Sequence, residues 1–123
     1  QINFKGVVSN NLIYKDIEEA NICVFPSYME SFGLTVIESL IMEKIVVASN
    51  IEPFNEIKEQ NDSLIFLENI IPEEIAKKVI FALKNEEIFK EKILSSRKNI
   101  LNKFNEDKIV KQNIELYQRI NKH

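Results

Sequence analysis

Phe25-Pro26-Ser27-Tyr28-Met29-Glu30-Ser31-Phe32-Gly33-Leu34-Thr35-Val36-Ile37-Glu38-Ser39-Leu40 is the stretch that decides the fold. It starts at the end of the continuous apolar run Ile22-Cys23-Val24-Phe25, which predicts a strand buried on both faces and closed by Pro26. Ser27 to Phe32 predicts a loop. From Gly33 to about Glu43 the apolar run is too long for an ordinary strand and predicts a mostly buried helix. Strand, loop and glycine-opened helix make one βα unit.

The same alternation extends on both sides. Upstream, Ile2-Asn3-Phe4-Lys5-Gly6-Val7-Val8 alternates apolar and polar residues and predicts a strand. Ser9-Asn10-Asn11 then offers N-cap residues to a helix carrying Leu12, Ile13, Ile17 and Ala20. Downstream, Ile45-Val46-Val47-Ala48 predicts a second buried strand, Pro53 to Gln60 a short helix, and Ser63 to Leu67 another strand. Ile71-Pro72-Glu73-Glu74 opens a helix with Pro and acids in its first turn, and its apolar residues Ile75, Val79, Ile80 and Leu83 recur at three and four. Beyond Asn85 only helical patterns remain, broken near Phe104 to Asp107. The predicted order β-α-β-α-β-α-β-α-α-α implies an α/β fold, a Rossmann-like parallel sheet with helices on both faces. Ligands of such sheets bind at the carboxyl ends of the strands. Here those are the loops after Val7, Phe25, Ala48 and Leu67.

Composition removes several chemistries. The 123 residues include only two glycines, Gly6 and Gly33, where roughly nine would be usual. Neither a G-x-G-x-x-G turn nor a Walker phosphate loop can be built from them. The single His is His123 at the terminus, so a His-based triad within this chain is improbable. Cys23 sits in an apolar run and predicts a buried core thiol. One Cys and one His cannot make a structural zinc site. No apolar stretch approaches the roughly 20 residues of a membrane span. With no visible signal peptide, a reduced cytoplasmic setting is expected. The chain opens on Gln1, which reads as a piece of something longer. The net charge of −3 argues against nucleic acid. Residues 1–85 carry 7 Lys/Arg against 13 Asp/Glu, whereas residues 86–123 carry 9 against 6. That basic tail is either a solvated helical face or a surface for peripheral membrane contact.

Chemistry concentrates between Glu30 and Glu38. At 100° per residue, Leu34, Ile37 and Ile41 share one side of the helix, with Glu38 beside them. A carboxylate bordering the core needs a partner, and a pair of vicinal hydroxyls suits an acceptor-only group. Gly33 marks the helix start, where backbone N–H groups from about Phe32 to Thr35 offer an anion site. Glu30 would lie across that anion from Glu38. A snorkelling Glu38 and an ordinary loop acid at Glu30 give the same pattern.

The stretch resembles the donor-binding signature of retaining family-4 glycosyltransferases of GT-B fold, in which a Pro-Ser turn precedes two glutamates separated by seven residues with Phe-Gly between. Phe4-Lys5-Gly6-Val7, Val46-Val47-Ala48-Ser49, Glu56-Ile57 and the helix from Pro72 to Leu83 resemble further family elements. The resemblance implies that Glu30 contacts the donor sugar at the catalytic centre and that Glu38 holds the nucleotide ribose. It further implies that Ser31, Phe32, Gly33, Leu34 and Thr35 face the sugar and pyrophosphate, and that main-chain groups at Val7 and Val8 read the base. Two departures are Glu43-Lys44-Ile45, where the family often has Gly and Pro, and Asn50-Ile51-Glu52-Pro53-Phe54, where it usually has a Gly-rich turn.

By that resemblance, residues 1–123 are part of a C-terminal nucleotide-sugar-binding domain, with 86–123 a helical tail. The partners implied are a nucleotide sugar, as substrate rather than cofactor, and an N-terminal acceptor domain. A tail stripe of Ile88, Phe89, Leu94, Ile100, Leu101 and Phe104 either packs within the domain or reaches toward that partner, as Tyr117 and Ile120 also can. The activity implied is sugar transfer with retention, without a metal, in surface polysaccharide or glycolipid synthesis at the cytoplasmic face of the membrane. The alternatives are a GT-B-type nucleotide-sugar epimerase and a non-catalytic α/β module.

Overall fold

The computed structural model describes residues 1–59 and 61–120. Its elements run α1 (Asn10–Glu19), β1 (Ile22–Phe25), α2 (Leu34–Ile41), β2 (Ile45–Ser49), α3 (Glu52–Lys58), β3 (Leu64–Leu67), α4 (Pro72–Lys84), α5 (Glu86–Lys103) and α6 (Glu106–Ile120). The expected terminal residue His123, and the helix end at Gln60, lie outside the described residues.

The strands form one parallel sheet in the order β1-β2-β3, with Cys23 beside Val46 and Val46 beside Leu64. Side chains alternate between faces along each strand. Cys23, Val46, Ala48 and Leu64 pack with Ile17 of α1, Val36, Ile37 and Leu40 of α2, Phe54 and Ile57 of α3, and Ile100 of α5. Ile45 packs on the other face with Ala82 of α4 and Phe89 of α5, flanked by Ile22, Ile65 and Ile93. The helix α5 therefore reaches both layers. Val36, Leu40, Leu64 and Ile100 are wholly buried, each worth about 1.5–3 kcal/mol relative to exposure. Burial pushes the Cys23 thiol pKa up, in keeping with an inert core cysteine.

Four expectations change. Residues 2–8 form no strand, and Ile2, Phe4 and Val7 are exposed. The reason is that β1 pairs only with β2, so no strand among the described residues lies beside this segment. Alternation without a neighbouring ladder leaves an irregular chain. For the same reason β1 is not buried on both faces: it is an edge strand with Val24 exposed. In α2 the buried arc is Val36, Ile37, Ser39 and Leu40, because this helix packs on both β2 and α5. Leu34 is 63% exposed, and Glu38 lies off the buried arc of α2, half-buried where it meets α1. In the tail, Phe89, Ser96 and Ile100 are buried while Ile88, Leu94 and Leu101 are exposed. At 100° per residue, positions 93, 96 and 100 fall within about 40° of 89, whereas 94 and 101 lie more than about 100° away. The expected stripe was two faces.

The turn from α2 into β2 has an unusual residue. Glu43 takes φ 61°, the left-handed position that glycine usually fills. The Glu43 N–H donates to the Leu40 carbonyl at 3.1 Å and the Lys44 N–H to the Ser39 carbonyl at 3.0 Å. These two bonds close a Schellman motif.

Candidate functional site

The parallel order puts the carboxyl ends of β1, β2 and β3 on one edge, ending at Phe25, Ser49 and Leu67. The Ser49 hydroxyl donates to the Phe25 carbonyl at 3.4 Å, and the Asn50 side-chain amide donates to Glu68 at 2.9 Å, linking successive loops of that edge.

The loop from Pro26 leads to Gly33, which is buried at φ 86° as the N-cap of α2. A β-carbon there would lie 2.4 Å from Cε1 of Phe54. Glycine is needed twice over, for the left-handed backbone and for the Phe54 ring. Its carbonyl accepts from the Val36 and Ile37 N–H groups at 3.0 and 3.2 Å. The N–H groups of Leu34 and Thr35, in the first turn, have no intrahelical acceptor and carry the positive end of the helix dipole. Thr35 and Leu34 are exposed, as are Ser31 and Phe32. Phe32 meets the Phe104 ring edge-on at a centroid distance of 5.7 Å.

Glu30 is half-buried and accepts a hydrogen bond from the Ser27 hydroxyl at 2.8 Å, so a residue of the Pro-Ser turn holds the first acid. Glu38 is half-buried one turn beyond Thr35, and its Oε1 accepts from the Tyr14 hydroxyl at 3.0 Å. That bond and the Glu38 charge raise the Tyr14 pKa above its ordinary value. Glu38, Thr35, Tyr14, Asn10 and Ile13 line a cavity of about 110 Å³ between α1 and α2. Val7 is exposed and Val8 half-buried, just ahead of Ser9, the N-cap of α1. Lys5 pairs with Asp16 and ties this segment to α1.

The structure thus gathers Glu38 and Thr35 into one cavity, and Glu30 is not among the residues lining it. Tyr14 was missed from sequence. Ile13 and Ile17 set the inner side of α1 at a spacing of four, and Tyr14 sits at its margin, 24 residues from Glu38. No local pattern pairs the two.

With this geometry in hand, the comparison with protein families is decisive: the model described as "Glycosyl transferases group 1" matches residues 1–100. The chain belongs to the group 1 glycosyl transferases. The match closes within α5, so the end of that helix and α6 lie beyond it. Comparison with curated proteins gives no significant match. Among solved structures, this group 1 domain is similar to sucrose-phosphate synthase from Thermosynechococcus elongatus, with a TM-score of 0.78 and 22% identity over 96% of the chain. The likeness is one of fold, the Rossmann-like half of a GT-B architecture. The chain spans about 30% of the length of that synthase. Among the described residues, no helix is long and apolar enough to cross a membrane.

Proposed function

We propose that this group 1 domain is the donor-binding part of a retaining, family-4 type glycosyltransferase. It would move a sugar from a nucleoside diphosphate to an acceptor. The observation that carries the reading is the placement of Glu30 and Glu38 on either side of the Gly33 turn, at the carboxyl edge of a parallel sheet. In this reading Glu38 accepts from the ribose hydroxyls inside the cavity it shares with Thr35. The first-turn N–H groups of α2, with Ser31 to Thr35 around them, receive the diphosphate. Glu30, steadied by Ser27, orients the donor sugar near its anomeric carbon. Main-chain groups at Val7 and Val8 read the base.

As the bond from the anomeric carbon to the diphosphate breaks, its electron pair passes to the diphosphate oxygen. Preorganised N–H donors stabilise that charge, and the acceptor oxygen bonds to the same face of the sugar as its hydroxyl proton passes to the departing diphosphate oxygen. In a doubly wound sheet of order 3-2-1-4-5-6, β1, β2 and β3 take the places of strands 4, 5 and 6. Residues 2–8 then belong at the far edge, beyond two strands supplied elsewhere in the full-length protein. The open edge at β1 and the exposed Ile2, Phe4 and Val24 support this arrangement. The basic tail supports an acceptor held at an anionic membrane surface, such as a lipid-linked glycan at the cytoplasmic face.

The test is titration of the full-length protein with UDP, GDP and ADP sugars, following the amide signals of Phe32 to Thr35. One of the three is expected to shift them. Glu38→Ala is expected to weaken binding by about 1.5–3 kcal/mol, the scale of charged hydrogen bonds, with the fold intact. Silence at these amides with all three donors would favour a non-catalytic module. An epimerised donor formed without acceptor would favour an isomerase.

A further inference from the structure

Beside Glu38, the cavity between α1 and α2 holds a second titratable group, the phenol of Tyr14. Its hydroxyl donates to Glu38 Oε1 at 3.0 Å, joining helices whose contacting residues are 24 apart in sequence. Glu38 stands off the buried arc of α2. An unrestrained glutamate there would sample several rotamers, and a ligand would have to order it on binding. A carboxylate offers about four lone-pair positions over two oxygens. The phenol occupies one, on Oε1, and so fixes the direction in which Oε2 is presented.

We propose that Tyr14 is a positioning residue that holds Glu38 ready for the 2′- and 3′-hydroxyls of a ribonucleotide, and that it thereby sets the preference for ribose over deoxyribose. This rests on the reading of Glu38 as the ribose-binding acid. Glu38 raises the Tyr14 pKa, so the proton stays on the phenol and Tyr14 remains the donor at neutral pH. Asn10, Ile13 and Thr35 line the rest of the cavity, in which Tyr14 and Glu38 meet.

The experiment measures dissociation constants of the full-length protein for UDP, GDP and ADP and for their 2′-deoxy counterparts, in the wild type, Tyr14→Phe and Glu38→Gln. Tyr14→Phe keeps the ring, so the packing of α1 is retained. It is expected to lower the ribo-over-deoxy preference by about 2- to 10-fold, the scale of one net hydrogen bond, while weakening the 2′-deoxynucleotide, which keeps its 3′-hydroxyl, by less than the ribonucleotide. In protein labelled at tyrosine Cζ, the signal lost in Tyr14→Phe identifies Tyr14. That signal is expected to titrate at lower pH in Glu38→Gln than in wild type. If wild type binds and Glu38→Gln does not, yet Tyr14→Phe keeps the wild-type preference, the role of Tyr14 is overturned and that of Glu38 stands. Equal weakening of both nucleotides in Tyr14→Phe also overturns it. If wild type binds none of the six nucleotides, the ribose reading itself fails and takes this inference with it.

Discussion

Phe54 occupies the space that a side chain at residue 33 would need. A β-carbon on Gly33 would lie 2.4 Å from Cε1 and 2.9 Å from Cδ1 of its ring, and Phe54 is itself almost wholly buried. Gly33→Ala therefore meets two separate costs. The left-handed backbone costs about 1–2 kcal/mol for a residue with a β-carbon, and overpacking against the ring costs about 1–3 kcal/mol. Denaturant melts of Gly33→Ala are expected to show a loss of about 2–5 kcal/mol. Phe54→Leu alone destabilises by opening space, but added to Gly33→Ala it restores part of the loss. The double variant should be more stable than the sum of the singles allows; strict additivity would separate the two residues.

Several elements were legible because their signals are local. Ile22 to Phe25 and Ile45 to Ala48 are continuous apolar runs closed by Pro26 and by Ser49-Asn50, and both are strands. Pro72 with its following acids marked the start of α4. What was not legible depends on neighbours. Residues 2–8 alternate like a strand, but alternation specifies a strand only beside a ladder. Phe54 stood out as a departure from the family pattern, while its fit over Gly33 needs the fold of α3 to be visible. Glu38 was recognised as an acid needing a partner, and the partner that appears in the structure is Tyr14, on another helix.

Glu43 gives an opposite expectation to Gly33. It holds φ 61° at the end of α2 and pairs with Arg97 of α5, with both side chains close to half exposed. An ion pair so exposed is worth about 0–1 kcal/mol, less than the 1–2 kcal/mol or so of left-handed strain. Glu43→Gly is therefore expected to raise stability by about 0.5–1 kcal/mol. Glu43→Ala keeps the strain and loses the pair, so its melting temperature should fall below that of wild type. A Glu43→Gly protein less stable than wild type would show that the pair outweighs the strain.

The loop after β3 should respond to acid. Glu74, in the first turn of α4, accepts from the Glu68 N–H at 2.7 Å and from the Asn69 N–H and side-chain amide at 3.1 Å. The Glu68 N–H, foremost, holds the Glu74 pKa below its ordinary value. A depressed folded pKa contributes stability that is present above the unfolded value of about 4.3 and lost as pH falls through the folded one. Glu74→Ala is expected to flatten the stability profile in that acid window and leave its slope above about pH 5 unchanged. Urea midpoints measured across the window check this, and parallel profiles for the two proteins would count against it. Asn50 ties this loop to the one after β2, so amide signals at Glu68 and Asn69 should move in the same window.

The two acids of the signature should separate in kinetics. Glu38 sits in the cavity with Thr35 and Tyr14, whereas Glu30 lies in the loop ahead of Gly33, held by Ser27. If Glu38 meets the ribose and Glu30 the sugar, removing the sugar from the ligand makes Glu30 irrelevant and leaves Glu38 necessary. Glu30→Gln keeps the side-chain size and an acceptor oxygen for Ser27 while losing the charge. It is expected to bind the bare nucleoside diphosphate within about 2-fold of wild type, inside the scale of a single weak hydrogen bond. Transfer by the full-length protein should fall by at least about 100-fold, the lower range for one catalytic group acting on developing charge. Ser27→Ala, which frees the Glu30 carboxylate without removing it, should fall between the two in transfer and match wild type in nucleotide binding. Calorimetry with the nucleoside diphosphate alongside steady-state transfer checks all three. Loss of nucleotide binding in Glu30→Gln as large as the loss of transfer would mean that this acid touches the nucleotide, and the order of groups along the site would have to be reversed.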